Sequence, residues 1–132
     1  MDTVLFACVH NAGRSQMASA LFNSIADSRR AHAISAGTQP AERVHPVVAE
    51  VMSELGIDIS SNRPQKLTDE LAHEAALLIT MGCGDQCPVV PGLSRDDWPL
   101  PDPEGRSVDE VRAIRDEIGA RVARLIEERH WA

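Results

Sequence analysis

The chain has 132 residues, a net charge of −7 and only 3% aromatic residues. That length suits one domain around one aliphatic core. The acidic balance argues against nucleic acid or an anionic membrane as the main partner.

In chain order, Thr3 to Ala7 reads as a short buried strand. From Ser15, the residues Met17, Ala18, Leu21, Phe22 and Ile25 recur at helical spacing. Ala31 to Ala36 reads as a second strand, closed by Gly37, and Pro40 marks a loop. Val47, Val48, Val51, Met52 and Leu55 form the apolar stripe of a second helix, with Gly56 as its stop. Ser60 to Lys66 is a polar loop, after which Thr68 caps a short helix through Leu71 to His73. Ala75 to Thr80 reads as a buried strand, and Gly82 to Pro91 as a loop. Asp97 to Leu100 is expected as a short edge strand before Pro101-Asp102-Pro103. Val111, Ile114, Ile118, Val122 and Leu125 then line a long C-terminal helix.

Strands that alternate with helices imply crossover connections. The expectation is a single α/β domain over residues 1–132, with a four-stranded parallel sheet flanked by helices on both faces. Ligands in such sheets bind beyond the carboxyl ends of the strands. Cys8, Gly82 and Asp102 follow the first, third and fourth expected strands, so all three fall at one end. No apolar run approaches the ~20 residues of a membrane span, and no secretory leader is visible. Three cysteines fit a reducing cytoplasm better than a secreted disulfide scaffold.

The most informative stretch is Cys8-Val9-His10-Asn11-Ala12-Gly13-Arg14-Ser15. A buried strand delivers a thiol to a tight loop, and a helix starts where the loop ends. Inward-pointing N–H groups in such a loop form an anion nest, to which the helix N-terminus adds its own amides and dipole. Arg14 supplies a planar fork for two oxygens of a tetrahedral oxyanion. The same positive surroundings favour the thiolate of Cys8. A buried cysteine after a strand is common and an arginine in a first helical turn is often just solvated. Here the preceding strand, Gly13, Ser15 and the following helix make the pattern specific. Ser15 either hydrogen-bonds the thiolate or caps the helix, Asn11 braces the loop, and His10 faces solvent.

Asp102, between two prolines, is either a plain turn aspartate or a general acid on a stiff loop. Cys83 and Cys87 are inert thiols, half of a metal site, or a resolving pair that relays a disulfide. With no second ligand pair they make a poor zinc signal. Trp98 and Trp131 read as packing residues.

Cys8 through Ala18, CVHNAGRSQMA, resembles the low-molecular-weight protein tyrosine phosphatase family in its arsenate reductase branch. Ser35-Ala36-Gly37, Gly56 to Ser60, the Cys83/Cys87 loop with Pro88, Asp97-Trp98, Asp102-Pro103 and Ile114 to Ile118 are similar to that branch in the same order. Gln16-Met17 and the extra cysteine pair point away from the phosphatases, which typically have proline then isoleucine there.

The resemblance implies a mechanism. Cys8 attacks arsenate held by the amides of Val9 to Ser15 and by Arg14, while Asp102 protonates the leaving hydroxyl. Cys83 then attacks Cys8 and Cys87 attacks Cys83, leaving a Cys83–Cys87 disulfide for an external thiol reductant. Thioredoxin is expected before glutaredoxin or mycothiol, although thioredoxin-linked members space their resolving cysteines farther apart. The implied enzyme is a cytoplasmic monomer that uses no metal or organic cofactor, and phosphate and sulfate are competing oxyanions. Some members hold a potassium ion with a carboxylate from the first helix; Ser19 stands at that place here, so the ion is not carried over. Two rivals remain: a phosphatase acting on phosphate monoesters, which has no use for Cys83 and Cys87, and a non-catalytic arsenite- or metal-binding thiol sensor.

Overall fold

A computed structural model describes residues 1–82 and 91–132. Its elements, in chain order, are β1 (Asp2–Cys8), α1 (Arg14–Ile25), β2 (Ala31–Gly37), α2 (Pro46–Ser53), α3 (Asp69–Glu74), β3 (Leu77–Thr80), β4 (Ser94–Asp97) and α4 (Val108–Arg129). The four strands pair in the order β2-β1-β3-β4, all parallel. This is the expected single-domain α/β sheet.

Alternation along β1 sorts the two cores. Val4, Phe6 and Cys8 face the larger one, which is filled from α1, α2 and α4 by Met17, Phe22, Val51, Met52, Ile118 and Val122. Leu5 and Ala7 face the smaller one, closed by Leu67 and by Ala72 of α3. Helices therefore cover both faces. With few aromatics available, Phe6 serves as a hub between Phe22, at 6.1 Å between ring centroids, and Trp98, at 5.7 Å. Trp131 packs on Phe22, so both tryptophans are core residues as expected.

Local chemistry sets the helix ends. Thr68 accepts the Leu71 N–H at the start of α3. Ser107 and Glu110 form a reciprocal capping box on α4. That helix ends at His130, whose φ of 59° is left-handed, a place where glycine is the usual residue.

Three expectations shift. The edge strand is Ser94–Asp97 rather than residues 97–100. Among the described residues β4 pairs only with β3, and every one of its residues is exposed, so a polar segment serves as the edge. Pro99 and Pro101 lack the N–H needed to extend the ladder. Ile25 and Leu55 are exposed rather than part of their helical stripes, because α2 already ends at Ser53 and Ile25 closes α1. In α4 the buried position is Ile126, while Leu125 is only partly covered. The expected loop from Gly82 to Pro91 lies outside the described residues except at its two ends.

An ionic cluster ties α2 to α4. Glu54 takes two nitrogens of Arg112, at 2.7 and 3.1 Å, and Nη1 of the buried Arg115 at 2.8 Å. Arg112 first, with Arg115 behind it, pulls the Glu54 carboxyl from 4.5 down to about 2. A depressed carboxylate stabilises the fold above its ordinary pKa, and that contribution fades as pH falls through the folded value. Glu54→Gln is therefore expected to lower Tm at pH 7. The gap from wild type should narrow between pH 4.5 and about 2, which thermal melts across that range will measure.

Candidate active site

β1 ends at Cys8 and α1 begins at Arg14, and the segment between them curls over the carboxyl end of the sheet. The carbonyls of Cys8, Val9, His10 and Ala12 accept the N–H groups of Thr38, Gln39, Ala41 and His45, at 2.8 to 3.2 Å. Four of the loop's carbonyls are thus taken by that outer segment, while its donors stay unspent. The N–H groups of Val9 to Gly13 have no acceptor among the described residues, and Gly13, at the N-cap of α1, gives it no side-chain cap. A turn of free amides at an uncapped helix N-terminus is an anion site. Asn11, buried with φ of 50°, makes the sharp turn that the loop needs.

Cys8 is only 2% exposed and sits at the floor of this loop. Its Sγ lies 2.8 Å from Ser15 Oγ. Asn11 Nδ2 donates to the same hydroxyl at 2.7 Å, so Ser15 spends a lone pair on Asn11 and keeps its proton for the sulfur. Of the two roles open to Ser15, the contact to sulfur is the one present; no side chain caps α1.

Arg14 is 6% exposed, and its Nη1 donates to the Leu100 carbonyl at 3.0 Å. Nη2 lies 3.9 Å from Asp102 Oδ2. The arginine thus links the thiol loop to the 100–103 loop. Asp102 does two things at once. Its Oδ1 accepts the Glu104 N–H at 3.0 Å, an ordinary turn contact, while Oδ2 stays on the Arg14 side. Pro103 is buried against Gly13, where a Cβ would stand 2.5 Å from Pro103 Cγ. Glycine there lets the Asp102 loop close on the thiol loop.

The structure brings Cys8, Asn11, Arg14, Ser15 and Asp102 together, and lines the loop with Val9, Ala12 and Gly13. His10 is half-buried, not simply solvent-facing, because its Nδ1 meets the Gln39 carbonyl at 3.1 Å. Cys83 and Cys87 lie outside the described residues. Ser19 Oγ donates to the Gln16 carbonyl. At the mouth, His10, Asp102 and Glu104 bring ligand-type atoms within 4.8 Å of one another; Arg14 competes there with any cation for Asp102. The sequence offered no sign of the Leu100 carbonyl as an anchor for Arg14, since a main-chain acceptor leaves no residue-type signal.

Fold and site together define a class: a small parallel α/β domain with a cysteine on the floor of an amide-lined anion loop. Residues 3–130 match the family model of low molecular weight phosphotyrosine protein phosphatases, and the chain belongs to that family. It is similar to the thioredoxin-dependent arsenate reductase of Corynebacterium glutamicum, with a TM-score of 0.84 and 44% identity; the match covers 97% of this chain and 61% of that one. A glutaredoxin arsenate reductase from Synechocystis is 34% identical over 129 residues, which cover 96% of this chain and 97% of that protein. A low molecular weight protein tyrosine phosphatase from T. tengcongensis superposes with a TM-score of 0.85 at 27% identity, covering 97% of this chain and 98% of that one.

Proposed function

We propose that the chain is an arsenate reductase that draws two electrons from its own thiols. The observation that carries this reading is Cys8 at the floor of the amide loop, hydrogen-bonded to Ser15, with Arg14 beside it. The arsenate reductases among its relatives support the same substrate.

The loop amides and Arg14 hold the oxygens of arsenate, and charge-assisted bonds of this kind are the strong ones. The Cys8 thiolate attacks arsenic. An As–O bond breaks as Asp102 gives a proton to the departing hydroxyl, which leaves as water. Cys83 then attacks the Cys8 sulfur. The S–As bond breaks, its electron pair stays on arsenic, and arsenite leaves with a Cys8–Cys83 disulfide behind. Cys87 attacks Cys83 and frees Cys8. An external dithiol of the thioredoxin kind reduces the Cys83–Cys87 bond. Arsenic gains two electrons and two thiols lose them. The reading includes a cytoplasmic monomer, with phosphate and sulfate as competitors for the loop and with no metal or organic cofactor in the reaction. No described helix is long and apolar enough to cross a membrane.

The resemblance to a phosphatase favours one second reading, hydrolysis of phosphate monoesters in the same loop. A thiol count separates the two. Mixed with arsenate and no reductant, the enzyme is expected to lose two free thiols for each arsenite formed. Arsenite without thiol loss, or no arsenite at all, would sink the reductase reading. A passive thiol sensor would lose none to oxidation.

A further inference from the structure

We infer that the main-chain N–H of Gln65, which touches none of the reacting atoms itself, sets the direction of the hydrogen-bond chain that ends on the Cys8 sulfur. The inference deepens the thiol chemistry proposed above, but its readout is the thiol itself and needs no arsenate.

The chain runs Asn11 to Ser15 to Cys8, at 2.7 and 2.8 Å. An asparagine side chain has a donor end and an acceptor end of nearly equal size. If Asn11 presented its oxygen to Ser15, the hydroxyl would donate to Asn11 and could offer the sulfur only a lone pair. Two lone-pair bearers would then face each other at 2.8 Å, which disfavours a thiolate.

The 62–67 segment removes that choice. Gln65 N–H donates to Asn11 Oδ1 at 3.0 Å, and a peptide N–H can only donate. Asn11 Oδ1 must therefore face Gln65, and Nδ2 must face Ser15. Gln16 Nε2 adds a second donor to the same oxygen at 3.3 Å, and Asn62 Nδ2 holds Gln16 Oε1 at 3.3 Å. Once Asn11 Oδ1 faces Gln65, Gln16 has to present Nε2 to it, and Gln16 Oε1 is left to accept from Asn62. Every group in the network has one consistent orientation, and the whole of it serves Asn11, which is fully buried.

The segment itself is fixed in register. Gly37 N–H donates to the Gln65 carbonyl at 2.9 Å, and Leu67 N–H to the Gly37 carbonyl at 2.8 Å. The Gln65 side chain donates to the Ser35 carbonyl at 2.8 Å. Residues 65–67 thus lie along the end of β2 like a fragment of a further strand. Gln65 and its neighbours touch no reacting atom, so they are positioning residues.

The test uses two changes at one position. Gln65→Pro deletes the N–H and keeps the carbonyl that Gly37 uses. Gln65→Ala keeps the N–H and deletes only the side chain. Iodoacetamide alkylation of Cys8 at neutral pH, followed by mass spectrometry of the Cys8 peptide, reports thiolate reactivity. Inorganic phosphate binding, followed by calorimetry, reports the amide loop.

Gln65→Pro is expected to slow alkylation about tenfold, the loss of one hydrogen bond to a charged group, with phosphate affinity within about twofold of wild type. Gln65→Ala should match wild type in both measurements. Gln16→Met, which removes only the weaker donor, should slow alkylation less, and it carries the test if the proline variant does not fold. Unchanged alkylation in both Gln65→Pro and Gln16→Met would overturn the inference. So would a parallel fall of alkylation and phosphate affinity, since that would mean collapse of the loop. Equal slowing by Gln65→Ala would do the same, because it would assign the effect to the side chain.

Discussion

Cys83→Ser is expected to abolish turnover of arsenate while leaving slow hydrolysis of an aryl phosphate. The two reactions share the first half of the chemistry, in which Cys8 attacks a tetrahedral centre bound by the loop and Arg14. They part at the second half. Water can discharge a phosphoryl-cysteine, but arsenite leaves only when another thiol attacks the Cys8 sulfur. Strand register places the start of that partner's segment close by. Ala7 of β1 pairs with Thr80 of β3, and the Met81 N–H reaches the Ala7 carbonyl at 2.7 Å. Gly82 then lies against the Arg14 guanidinium, and Cys83 is its covalent neighbour in the chain. Paired assays of arsenite release and aryl phosphate hydrolysis on wild type and variant will decide the matter. Full arsenate turnover by Cys83→Ser would remove this thiol from the relay.

Gly82→Ala should produce the second large effect. Gly82 has φ of 90°, in the region that glycine enters freely and alanine does not. A methyl group there would also collide with Arg14 Nη1. The guanidinium would have to leave the Leu100 carbonyl and turn away from the loop. Hydrogen bonds to charged groups are worth ~1.5–3 kcal/mol, so oxyanion affinity should fall about tenfold to a hundredfold. Calorimetric titration with phosphate measures that loss. Cys8 alkylation should change much less, because the Asn11–Ser15–Cys8 hydrogen bonds do not involve Arg14. Wild-type phosphate affinity in Gly82→Ala would show that the arginine can hold its place without the glycine.

Much of this site was legible because its chemistry is local. Cys8 through Ser15 contains the proposed nucleophile, the amide loop, the arginine and the serine within eight consecutive residues. Buried apolar runs and helical stripes located the inner strands and the helices. The signal failed where exposure replaced burial. β4 is a fully exposed edge strand, so its residues carry no apolar alternation, and the expected strand over 97–100 falls just beyond it. It failed again where the main chain does the work. The Leu100 carbonyl that holds Arg14 and the Gln65 N–H that holds Asn11 would exist whatever side chains stood there. Asp102 shows a third case. Pro-Asp-Pro suited both a turn and an acid, and the two oxygens of one carboxylate allow both.

The outer clasp on the loop carbonyls by residues 38–45 has one more consequence. A ring of donors held from behind needs no rearrangement to receive its guest, so little ordering entropy is lost on capture. Such a rigid cradle matches tetrahedral shape and negative charge, which arsenate, phosphate and sulfate have in common. If the chain reduces arsenate as proposed, discrimination arises after capture, in whether the bound centre can keep an electron pair when a second thiol attacks the Cys8 sulfur, and phosphate is expected to slow the reaction by competing for the cradle.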